Sequence, residues 1–89
     1  MKHVNLRISG KVQGVFFRAS TRDKARELNI NGFVRNETDG SVYVEAEADE
    51  EAIDRFVGWC TMGPVRARVE KIEVSPGAVR GFNGFDVVR

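Results

Sequence analysis

Val4, Leu6 and Ile8 alternate with Asn5, Arg7 and Ser9, the two-residue period of a strand with one buried face. The pattern breaks at Gly10–Val15 and resumes at Arg18, where Thr21, Ala25 and Leu28 recur at i, i+4 and i+7 and predict a helix over 18–28. Asn29-Ile30-Asn31-Gly32 carries the residues of a helix stop. Two strand-like runs, 33–36 and 41–46, then flank Asp39-Gly40, a strong hairpin signal. The clearest helix follows. Asp49 is placed to cap it, Glu50 and Glu51 sit where the helix dipole favours acids, and Ile53, Phe56, Val57 and Cys60 make one apolar face before Gly63-Pro64. Val69–Val74 alternates again, with Ile72 and Val74 on one side, and Phe85–Val88 closes the chain as a short strand.

The order strand, helix, strand, strand, helix, strand predicts an α+β, ferredoxin-like split βαβ sandwich: an antiparallel sheet with two helices on one face. No linker, repeat or low-complexity run interrupts residues 1–89, which are read as a single domain. Fold alone leaves function open, because this architecture serves enzymes, RNA binders and regulatory modules alike.

Composition narrows the field. Fourteen Lys and Arg against 13 Asp and Glu give a net charge of +1, a nearly neutral domain. Arg66, Arg68, Arg80 and Arg89 lean the C-terminal half basic, but interspersed acids make them a solvated surface, and no nucleic-acid partner is expected. Cys60, the single cysteine, cannot close an internal disulfide, and His3 is the only histidine, so no Cys/His metal set exists. No window approaches the roughly 18 apolar residues of a membrane span, and the alternating start is unlike a signal peptide; no membrane partner and a cytoplasmic location are expected. Cys60 reads as a buried small hydrophobe, Trp59 as a partly exposed ring and Thr21 as packing. Glu45, Glu47, Asp49, Glu50 and Glu51 read as a solvated strand edge and helix start, since they lack the spacing and central glycine of a calcium loop.

The most informative stretch is Gly10-Lys11-Val12-Gln13-Gly14-Val15-Phe16-Phe17-Arg18, a glycine-containing connection from a strand into a helix. Backbone N–H groups in such a loop converge at the positive end of the helix dipole, which favours an anion. Arg18 adds a planar fork of donors suited to phosphate or carboxylate. Spacing alone leaves an alternative open, in which the glycines merely permit a tight turn and Arg18 is a surface residue. Asn36, three residues before Asp39, is equally open between shaping the hairpin and acting on a ligand, and alternation does not say which face of the sheet it takes.

The run Ile8–Arg18 resembles the first signature of the acylphosphatase family: an aliphatic residue, then Gly10, Val12, Gln13, Gly14, Val15, Phe17 and Arg18 at its fixed positions. Gly32-Phe33-Val34-Arg35-Asn36, with Gly40 and Val42 following, resembles the second. Gly63-Pro64 and Gly84–Val87 extend the likeness over nearly the whole chain, and Ala48 departs from a glycine usual in the family. The resemblance implies hydrolysis of the carboxyl-phosphate anhydride of acyl phosphates to a carboxylate and inorganic phosphate, without metal or cofactor. It implies that Gln13, Gly14, Val15, Phe16, Phe17 and Arg18 cradle the phosphate, and that Asn36 orients the attacking water. Inorganic phosphate is then the product and a competitive inhibitor, and the protein is expected to be a monomer.

Chemistry agrees with so sparse a site. Phosphoryl transfer asks mainly for positioning and for charge stabilisation on the equatorial oxygens. A carboxylate of pKa about 4 leaves without a proton, so no general acid is needed. The competing reading is a non-catalytic phosphate-binding or regulatory ferredoxin-like module, which needs the cradle and Arg18 but not Asn36. An RNA-recognition domain is disfavoured, because Val42-Tyr43-Val44-Glu45 lacks its basic, aromatic strand motif. A domain detached from a larger carbamoyl-transfer protein is a third reading, against which the complete fold favours a freestanding protein.

Overall fold

The computed structural model describes residues 1–88, so Arg89 lies outside the described residues. Seven elements follow one another: β1 (Lys2–Lys11), α1 (Phe17–Glu27), β2 (Asn31–Asn36), β3 (Val42–Ala48), α2 (Glu50–Cys60), β4 (Arg68–Gly77) and β5 (Phe85–Val87). The sheet order is β4-β1-β3-β2-β5. The first four strands pair antiparallel, as expected, whereas β5 joins β2 in parallel, with Val34 opposite Val87. The chain reaches that far edge by crossing the sheet rather than by a hairpin, and the crossing sets the direction of β5.

Register explains the core. Val4, Leu6 and Ile8 of β1 stand opposite Ala46, Val44 and Val42 of β3, and Val34 of β2 stands opposite Val44, so the apolar rows coincide on one face. Both helices cover that face. Phe17, Thr21 and Ala25 of α1 and Ile53, Phe56 and Cys60 of α2 are buried there. Thr21 is packing, its hydroxyl donating to the Phe17 carbonyl at 2.7 Å. Burial pushes the Cys60 thiol up to about 12, and Trp59 tilts against the Phe17 ring at 6.0 Å. Val74 shares a row with Leu6 yet is 47% exposed, because β4 is an edge strand beyond the cover of the helices.

The caps follow their chemistry. Asp49 Oδ1 accepts the Ala52 N–H at 2.8 Å, closing the start of α2 as predicted. At the end of α1 it is Asn29, with φ 58°, that takes the left-handed turn. Gly32 has a different duty, inside β2: a side chain there would run into the Glu45 carbonyl of the neighbouring strand. Ala48 ends β3, six residues along the strand from the Val42–Asn36 pair, so its departure from glycine does not touch the loop after β1.

The face away from the helices corrects one expectation. Glu45 and Glu47 are not a solvated edge: they are 6% and 1% exposed, on the central strand β3. His3, opposite Glu47, donates from Nδ1 to Glu47 Oε2 at 2.7 Å, and its Nε2 lies 2.8 Å from Asn5 Oδ1 and 3.3 Å from Glu45 Oε1. The segment between β4 and β5 straps across this cluster, its Arg80, Gly81 and Phe82 N–H groups all donating to the Glu47 carboxylate. Burial pushes the Glu47 carboxyl up, but the Arg80 N–H, the His3 ring and the Phe82 and Gly81 N–H groups outweigh it and hold it at about 2. Alternation assigns polar residues to water; Glu47 is buried because the strap supplies donors from more than 30 residues away, whereas Glu45 Oε2 accepts the Tyr43 hydroxyl and its Oε1 has no hydrogen-bond partner among the described residues.

Candidate active site

The loop after β1 enters α1 through two left-handed residues, Gly14 (φ 73°) and Phe16 (φ 64°). Glycine takes such a φ freely, and Gly14 has open space around it. Phe16 does so at a cost of about 1 kcal/mol, with its side chain 71% exposed. That residue is also the N-cap of α1, and a phenyl ring cannot cap: no side chain closes the helix and no acid lies in its first turn. The first intrahelical bond runs from the Ser20 N–H to the Phe16 carbonyl at 3.0 Å, leaving the earlier helical N–H groups without intrahelical acceptors. Alternating left-handed residues at an uncapped, acid-free helix start are the backbone chemistry of an anion site.

Side chains along this loop divide by parity. Val15 and Phe17 go into the core, at 5% and 1% exposure. Gly14, Phe16 and Arg18 front a cavity of about 380 Å³, walled also by Val12, Ala19 and Val87 and touched by Phe17. Gln13 faces neither: its amide Nε2 donates to the Glu37 carbonyl at 2.8 Å and to the Ser41 carbonyl at 2.9 Å, tying the loop to the β2–β3 hairpin. Of the residues expected to cradle phosphate, Val15 is buried and does not line the cavity, while Phe17 is buried and lines it. The Gln13 side chain positions the loop rather than reaching into the cavity.

That hairpin is itself braced. Asp39 Oδ1 accepts from the Ser41 N–H and hydroxyl at 2.9 and 2.6 Å, and those bonds, with a smaller pull from Arg7, hold its carboxyl below the usual value despite slight desolvation. The Glu37 N–H donates to the Ser41 carbonyl at 2.8 Å, closing the turn that fixes the end of β2.

Asn36 is that end. It pairs with Val42 and shares with Val34 the row that faces the helices, which settles the orientation the sequence left open. A polar side chain thus ends an apolar row, and it lines the same cavity as Arg18. Its Oδ1 is buried and accepts no hydrogen bond within the described protein. Arg18, half-buried, makes no salt bridge or side-chain hydrogen bond with any described residue. Two unspent polar groups, one a cation and one an amide acceptor, converge with the open helix start.

Sequence reasoning missed Arg22, which lines the cavity one turn beyond Arg18. Its signal was available, since residues at i and i+4 share a helix face. No Asp, Glu, His or Cys lines the cavity, and among the described residues no group of three or more such side chains could hold a metal ion. The donor set suits an anion.

Comparison with known proteins agrees. The acylphosphatase family model matches residues 4–87. An acylphosphatase of Methylococcus capsulatus is 47% identical over 90 residues, covering 100% of this chain and 98% of that protein, and one of Natronomonas pharaonis is 46% identical over 82 residues, covering 92% and 89%. Among solved structures, the acylphosphatase of Bacillus subtilis superposes with a TM-score of 0.97 at 31% identity, each chain covered in full.

Proposed function

The chain belongs to the acylphosphatase family, hydrolases of small-molecule acyl phosphates, and from that premise we propose that it performs the hydrolysis with Arg18, the Gly14–Arg18 backbone and Asn36. The unpartnered Asn36 Oδ1, buried beside Arg18 in the cavity, carries the reading. An amide oxygen accepts a proton of water while its NH₂ donates, so Asn36 aligns a nucleophile without acting as a strong base. Water attacks phosphorus, the bond from phosphorus to the carboxyl oxygen breaks, and the carboxylate departs with the electron pair. Its low pKa, about 4, removes the need for a general acid, and the cavity lining contains none.

Arg18 and the uncapped helix start bind the phosphoryl oxygens and the charge they gain in the transition state. Gln13 holds the loop at its distance from Asn36, because both are anchored to the same hairpin. A role as a mere phosphate sensor would leave Asn36 without a task. We place the protein in a reducing, cytoplasmic setting as a monomer, in keeping with its one buried cysteine.

The test is hydrolysis of benzoyl phosphate by purified protein in excess EDTA, with para-nitrophenyl phosphate as control. EDTA-resistant turnover of the acyl phosphate alone is expected, because an aryl ester's leaving group is worse by several pKa units and receives no proton here. Phosphate binding to folded protein with no turnover would transfer the chain to the sensor class.

A further inference from the structure

Arg22 stands one helical turn beyond Arg18, about 6 Å along the axis and on the same face of α1, with its side chain in the same cavity. Transfer of one phosphoryl group gives it no evident task, since Arg18 and the helix start already meet that group. Its Nε is held by Asp23 Oδ1 at 3.2 Å, an exposed contact between chain neighbours that orients the guanidinium without neutralising it. Its terminal nitrogens have no acceptor among the described residues, and no acid lines the cavity. Apart from the two arginines, Gly14 and Asn36, the wall is apolar, formed by Val12, Phe16, Phe17, Ala19 and Val87. At about 380 Å³ the space is that of a small-ligand pocket.

An acyl phosphate bound with its phosphoryl group on Arg18 and its acyl group along this wall brings the far end of that group to Arg22. We propose that Arg22 is a specificity residue that binds a second anion, carboxylate or phosphate, at the distal end of the acyl group. The preferred substrates are then acyl phosphates of acids that carry a further negative charge. The proposal rests on the acylphosphatase reading of the cavity. It concerns substrate choice alone, because Arg22 is set back from the helix start where the phosphoryl group reacts.

Rigid substrates test it: 4-carboxybenzoyl phosphate and 4-phosphonobenzoyl phosphate against the neutral isostere 4-carbamoylbenzoyl phosphate, with benzoyl phosphate as reference, for the parent and for Arg22→Gln and Arg22→Lys. The parent is expected to favour the anionic substrates by about three- to fivefold in kcat/KM, as for a partly exposed charge pair. Arg22→Gln should erase that preference through KM with kcat retained, change benzoyl phosphate by less than about twofold, and melt with the parent; Arg22→Lys should restore part of it. A larger gain on the phosphono substrate than on the carboxy one identifies a phosphate as the second anion, and the reverse identifies a carboxylate. No preference in the parent, or an equal loss on all four substrates in Arg22→Gln, overturns the proposal. Absence of turnover on benzoyl phosphate by the parent instead overturns the underlying reading, so the two failures are distinct.

Discussion

Replacing Glu47 by Gln removes the charge on which the strap between β4 and β5 is fastened. Four donors converge on that carboxylate, the His3 Nδ1–H and the N–H groups of Arg80, Gly81 and Phe82. Glutamine of nearly the same shape offers one acceptor oxygen and turns an NH₂ toward the remaining donors. The carboxyl is held at about 2 against an ordinary 4.5, which corresponds to about 3 kcal/mol of folded-state preference for the ionised form. Loss of that amount from a domain of this size lowers Tm by on the order of 10–20 °C. The pH dependence has a definite sign. Between about 4.5 and 2 the unfolded chain holds a proton on this residue that the folded chain does not. The stabilisation is therefore complete above about 4.5 and disappears as pH falls toward 2. Urea unfolding followed by circular dichroism at pH 7, 4 and 2.5 measures it, with the difference between parent and Glu47→Gln isolating this group from other carboxyls such as Asp39, which is also held low. A difference of about 3 kcal/mol at pH 7 should shrink to under 1 at pH 2.5. A variant within 1 kcal/mol of the parent at pH 7, or a difference independent of pH, refutes the reasoning.

Gln13→Ala should cost about 1–3 kcal/mol in urea unfolding and lower kcat on benzoyl phosphate, because two hairpin carbonyls lose the donor that anchors the cradle. Gln13→Glu should be worse on both measures, since it sets a carboxylate against those carbonyls. Gly32→Ala should destabilise by more than about 3 kcal/mol in the same assay, as its methyl group meets the Glu45 backbone; a loss under 1 would show that β2 and β3 can separate at no cost.

Much of this architecture is legible in the chain because its physics is local. Alternation over Val4–Ile8 marks β1, Asp39-Gly40 marks the hairpin, and Asp49 with its i, i+3, i+4 stripe marks α2 and its first residue. The Gly10–Arg18 loop marks the entry to α1 and, through its glycines, the left-handed turn at Gly14. What stayed hidden depends on partners distant in sequence. Glu45 and Glu47 follow the rhythm of a solvated face, yet both are buried, and Glu47 is fastened by a strap more than 30 residues away. Gln13 reads as part of the cradle, yet its side chain is claimed by carbonyls 24 and 28 residues away. The parallel pairing of β5 and the exposure of Val74 likewise follow from where the chain crosses and where the helices end, neither of which a local pattern encodes.

The central claim is that binding and turnover divide between Arg18 and Asn36. It is tested most directly by measuring, for Arg18→Ala and Asn36→Ala, both kcat on benzoyl phosphate and the inhibition constant of inorganic phosphate. The expected result is a fall in kcat of about 100-fold or more in each, with phosphate inhibition within threefold of the parent in Asn36→Ala and weakened at least tenfold in Arg18→Ala. Asn36→Ala turning over within fivefold of the parent, or Arg18→Ala inhibited by phosphate as strongly as the parent, would contradict it.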